Sequence, residues 1–147
     1  MKHQIILIIH LLSATIWVGG HLLLAIRYLP TALKHKDTQV ISNFEKKFEP
    51  LGLPALLLLV ITGLLMAYTY GVDMQLWFSF SNPIEKIVSI KLVLLFVTLA
   101  LALHARLFII PKLSPQNIVP MAFHILLITA IGVAMLVLGA SVRFGGL

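Results

Sequence analysis

Four stretches of this chain are each long and apolar enough to cross a lipid bilayer, and that constrains the fold more than any other feature. A spanning helix needs roughly 20 predominantly apolar residues. The stretches cover about residues 5–27, 50–72, 87–110 and 118–142. The third is interrupted by Lys91 and Arg106. The expected fold is therefore all-α: a single transmembrane domain over residues 1–147, built as an up-down bundle of four membrane-spanning helices. Composition agrees, with 60% hydrophobic residues and only 11% Asp, Glu, Lys and Arg, where a soluble domain carries about 25% charged residues. A mean hydropathy of +1.04 excludes a soluble enzyme, a disordered tail and a nucleic-acid binder, despite a formal charge of +6. The excess of Lys and Arg is first a topology signal.

The first apolar run is too long for a leader, and no small-x-small cleavage site closes it. It is expected to remain as a span. The first connection, about Tyr28 to Glu49, reads as a long polar loop in which Asn43 to Lys47 could begin a short interfacial helix. The second, about Asp73 to Glu85, holds Trp77, Phe78 and Phe80, which suit the headgroup belt. Ser81 to Glu85 reads as an N-cap and first turn for the third span. The third connection, Pro111 to Pro120, is short. Loops one and three with their flanks carry Arg27, Lys34, Lys36, Lys46, Lys47, Arg106 and Lys112, against Lys2, Lys86 and Arg143 on the opposite side. This bias places loops one and three in the cytoplasm and both termini outside, in a bacterial-type inner membrane.

An ionisable residue inside a span is costly, and it is a functional hypothesis by default. Those residues are His10, His21, Lys91, His104 and His124, with Glu49 at a span edge. His3 and His35 read as solvated. At about 1.5 Å rise per residue, His21, Glu49, His104 and His124 fall in one layer near loops one and three, one from each helix. His10 and Lys91 fall in a lower layer, with Met66 and Met135 at similar depth. His10 and His21 lie about 20° apart around an ideal helix, and Trp17 and Tyr28 share their stripe. Lys91 and His104 are about 140° apart, so a straight third span does not show both to one partner. Gly19, Gly20, Gly63, Gly132 and Gly139 read as close helix packing, or as room for a flat cofactor beside a ligand.

Two chemistries suit this layout. Heme b needs axial ligands facing each other across the core, and imidazole is the usual one. His21 and His104 form the expected axial pair, with His124 as substitute or second-site ligand. Arg27 and Arg106 lie nearer the surface, where they could meet the propionates. His10 would ligate a lower site with Lys91 nearby. Alternatively, three imidazoles and a carboxylate (His21, His104, His124 and Glu49) suit Zn, Cu or Fe. With no cysteine in the chain, thiolate ligands and disulfides are excluded.

The block from His10 to His21, HLLSATIWVGGH, resembles the first-helix motif of the copper-resistance D (CopD) superfamily. Thr62-Gly63, the KLVLL run from Lys91 and the final apolar span extend the resemblance over nearly the whole chain. His104-Ala-Arg106-Leu and Phe123-His124 are similar to a short single-domain branch. The resemblance implies inner-membrane copper uptake or handling. A distantly similar branch is the four-helix, heme-binding protoporphyrinogen oxidase, in which a first-helix His and a third-helix Lys matter; His10 and Lys91 stand at comparable places. Arg27 to Pro30 and Asn117 to Pro120 are also similar to that branch, whereas His21 and His124 are additions. Unlike the copper branch, this sequence shows no appended copper-binding periplasmic domain and no Met-rich segment.

The leading expectation is a b-type heme-binding redox protein of the membrane, an oxidoreductase passing electrons between a quinone or porphyrin-like donor and an acceptor. The alternative is a copper-binding or copper-transport protein. The third is a cofactor-free membrane subunit. The lipid bilayer is the expected partner, nucleic acid is not, and assembly into an oligomer stays open.

Overall fold

Hydrocarbon offers no water to backbone amides, so each apolar stretch must close its own hydrogen bonds as helix. The computed structural model describes residues 1–146 and contains four such helices: α1 Lys2–His35, α2 Thr38–Thr69, α3 Pro83–Lys112 and α4 Ile118–Phe144. No strand occurs among the described residues. The protein is a multi-pass membrane protein. Below, the end holding the α1–α2 and α3–α4 connections is the upper end.

The α1–α2 connection is far shorter than the sequence suggests. Helix continues to His35, Lys36 turns left-handed at φ 53°, and Asp37 caps α2 by accepting the Gln39 amide at 2.9 Å. Helix α2 then runs unbroken through Pro50 and Pro54. Its 32 residues span about 48 Å at 1.5 Å per residue, against roughly 30 Å of hydrocarbon. The polar turns before Pro50 therefore stand above the apolar layer as helix. The α2–α3 connection turns at Gly71, φ 77°, and ends in a well-made cap. Asn82 accepts the Glu85 amide at 2.9 Å, and the Glu85 carboxylate takes the Asn82 amide, the Ser79 hydroxyl and the Ser81 amide.

Helices α1 and α2 pack along their whole length in antiparallel register. His3 meets Thr69, His10 meets Thr62, and Gly20 stands level with Gly52. Helix α4 lies against α1 and α3, whereas α2 and α3 approach each other only sparsely. Small residues make the close contacts, as expected where lipid tails are as apolar as the side chains. Gly132 on α4 lies beneath Trp17 and Val18 of α1. One apolar cluster, around Leu29, Ile41, Ile109 and Met121, closes the upper end, and another, around Trp17, Val18, Ala55 and Ile128, fills the middle. Both rising helices carry a π-helical turn above an intramembrane histidine: Leu24–Tyr28 beyond His21, and Ala105–Ile109 beyond His104.

Candidate functional site

The upper histidines and Glu49 separate into three arrangements. His104 Nδ1 meets His124 Nε2 at 3.0 Å, with the rings stacked at 5.1 Å and 10°. Glu49 forms an ion pair with Arg106, linking α2 to α3. His21 stands apart on the α1–α2 seam, between the rings of Trp17 at 4.5 Å and Phe48 at 5.9 Å. Height divides them in part. Thr129 donates to the His21 carbonyl at 3.3 Å, which sets His21 about 7 Å below His124 along α4. Azimuth divides them further: His124 is buried, His104 lies on the exposed side of the α3–α4 seam, and His21 faces α2. Among the described residues no three His, Cys, Asp or Glu side chains are grouped to hold a metal ion.

The room that the alternative reading of the glycines would give a flat cofactor beside His21 is filled by protein. A Cβ on Gly20 would lie 2.2 Å from the Phe48 ring, and one on Gly52 would lie 2.6 Å from it. Phe48 thus occupies the notch that the two glycines open. With His104 engaged by α4 and this notch filled, a heme between His21 and His104 does not fit the side chains present. Arg106 is held by Glu49, and Arg27 lies exposed in its π-helical turn.

Hydrogen bonds assign the ring protons. His21 Nδ1 lies 2.8 Å from the Trp17 carbonyl, and His124 Nδ1 lies 2.8 Å from the Pro120 carbonyl. A carbonyl can only accept, so both nitrogens carry the proton. His124 Nε2 is then an acceptor, and His104 donates to it from Nδ1. In the lower half, the Thr62 hydroxyl donates to the Leu58 carbonyl and accepts from His10 Nδ1 at 2.8 Å. With one proton per ring, all four carry it on Nδ1. Three of them, His10, His21 and His104, keep a free Nε2 lone pair, the form in which imidazole binds metals. His124 spends its own on His104.

The lower layer draws on all four helices. His10 of α1 rests on Thr62 and lies 3.4 Å from where a Gly63 Cβ would stand on α2. Lys91 of α3 lies within Coulombic reach of His10, its ammonium 3.4 Å from the corresponding point at Gly139 on α4. Met66 and Met135 are half-buried, each one turn from Thr62 or Gly139. The chain has five carboxylates, and none is near Lys91: Asp37, Asp73 and Glu85 serve caps, Glu49 holds Arg106, and Glu45 sits one turn above Glu49. Lys91 faces this interior while His104 turns away, as their angular separation requires. Thr62 and Phe48 were not singled out as site residues. The Thr62-Gly63 pair of the family resemblance was the available signal for Thr62; Phe48 gave none.

The family model for copper resistance protein D matches residues 42–144. The chain belongs to this family. As a copper-resistance D protein, it carries Thr62, Lys91, His104 and His124 inside the matched region, with His10 and His21 preceding it on α1. No curated protein and no solved structure matches the chain.

Proposed function

We propose that this protein handles copper within a bacterial-type inner membrane, with intramembrane imidazoles as its contacts. The observation that carries the reading is the copper-resistance D match across α2, α3 and α4. The chemistry of the side chains supports it. Three imidazoles with their proton on Nδ1 offer Nε2 lone pairs, and the half-buried thioethers of Met66 and Met135 are soft donors that favour Cu(I). Copper is the cargo in this reading rather than a resident cofactor. His10 is the innermost contact, with Thr62 engaging its ring through Nδ1 so that Nε2 is left for the metal. His21 lies on the same seam about 16 Å higher, and His104 opens at the upper end. Charge bias puts that upper end in the cytoplasm.

The test is Cu(I) binding by the detergent-purified protein under reducing conditions, against a competing chelator, with absorption spectra before and after dithionite. The expected result is a colourless protein binding copper, with binding reduced in His10→Ala. A Soret band with sharp reduced α and β bands would overturn the copper reading in favour of heme. Undiminished binding in His10→Ala would remove His10 from the path.

A further inference from the structure

A groove of about 440 Å³ opens where α1 ends and α2 begins, lined by Tyr28, Val40, Asn43, Phe44, Lys47 and Phe48. Its floor is aromatic: Tyr28 lies 5.0 Å from Phe44, and Phe44 stacks on Phe48 at 5.4 Å and 24°. Its polar groups are the Tyr28 hydroxyl, the Asn43 amide and the Lys47 ammonium. Each can donate a hydrogen bond, none is anionic, and no described residue forms a hydrogen bond or ion pair with any of them. The groove also has a defined height. Lys47 stands one turn above Pro50, where the apolar run of α2 begins, so the groove opens at the headgroup layer. The π-helical turn ends on Tyr28 and brings its ring to this edge.

We propose that the groove seats one anionic phospholipid. Its phosphodiester accepts from Lys47, Tyr28 and Asn43, while its glycerol and upper chains lie over Phe44 and Phe48. Charge selects the occupant: donors without a carboxylate fit an anion, and an aromatic floor at this height fits an acyl-bearing one. The cavity on the other flank of α2, lined by Lys46, Glu49, Pro50, Leu53 and Pro54, has a carboxylate and no aromatic ring. It provides an internal control, because Lys46→Gln and Lys47→Gln change net charge equally on adjacent residues.

Native mass spectrometry of the full-length protein in detergent, titrated with phosphatidylglycerol or phosphatidylcholine, tests this. Wild type should retain one phosphatidylglycerol in preference to phosphatidylcholine. Lys47→Gln should weaken retention by about fivefold, the effect of one cation at a membrane surface, whereas Lys46→Gln should leave it unchanged. Tyr28→Phe removes one hydroxyl and leaves the ring packing intact, so it provides a second reading if Lys47→Gln folds poorly. Equal losses in Lys46→Gln and Lys47→Gln would mean diffuse attraction and overturn the site. So would equal retention of both lipids, or displacement by millimolar inorganic phosphate.

Discussion

Thr62 sets the orientation of His10, so its hydroxyl should influence copper more than its volume does. Thr62→Val removes the acceptor for His10 Nδ1 with little change in shape. Outer partners of ligating imidazoles are worth 10- to 100-fold in metal affinity. Cu(I) titration of Thr62→Val should show a loss of about tenfold or more, with Thr62→Ser recovering most of it. Lys91 should act in the opposite sense. Its ammonium places a like charge near His10, and repulsion in a dry interior is weakly screened. Lys91→Leu should therefore tighten Cu(I) binding by roughly tenfold, equivalent to about 1.4 kcal/mol. Weaker binding in that variant would show that Lys91 builds the site rather than opposing the cation. The sequence separates the upper histidines from His10 and Lys91 by helix rise and span order alone, but it put His21 level with His124, about 7 Å higher than the Thr129 contact sets it. The partner of each ring could not be read from it. His104 and Glu49 were expected to share a centre with His21, yet packing turned one toward His124 and gave the other to Arg106.

At the level of the helix, the notch between Gly20 and Gly52 is the most exacting contact. Gly20→Ala puts a methyl into the Phe48 ring, and overpacking of this kind typically costs about 1–3 kcal/mol. Gly19, one residue earlier, has open space around it, so Gly19→Ala should be near neutral. Thermal unfolding in detergent separates the two, and combining Gly20→Ala with Phe48→Ala should recover part of the loss. Hydropathy located the helices well, because about 20 apolar residues in hydrocarbon have few other ways to satisfy their backbone. It did not reveal that α1 and α2 continue as helix through the polar residues between them. That outcome rests on a single left-handed residue, Lys36, and one capping carboxylate, Asp37. Pro50 also read as the edge of a span, whereas α2 carries both it and Pro54 within the helix.

Over the whole molecule, the orientation proposed from Lys and Arg placement can be checked directly, since the chain contains no cysteine. Single cysteines at Lys34→Cys and Ser81→Cys sit at opposite ends, both exposed. In intact cells an impermeant maleimide should label Ser81→Cys and spare Lys34→Cys; the reverse pattern would invert the topology. The ring protons described above have a consequence for the membrane's energy store. The donating edges of the imidazoles lead to backbone carbonyls: Trp17 for His21, Pro120 for His124, and Leu58 for His10 through Thr62. A proton caught on Nε2 of His10 or His21 finds only a carbonyl beyond the ring, and one caught on His104 can pass to His124 but stops there at the Pro120 carbonyl. These side chains accept soft cations at several heights yet form dead ends for proton current, so vesicles carrying the protein should hold an imposed pH gradient as long as protein-free ones.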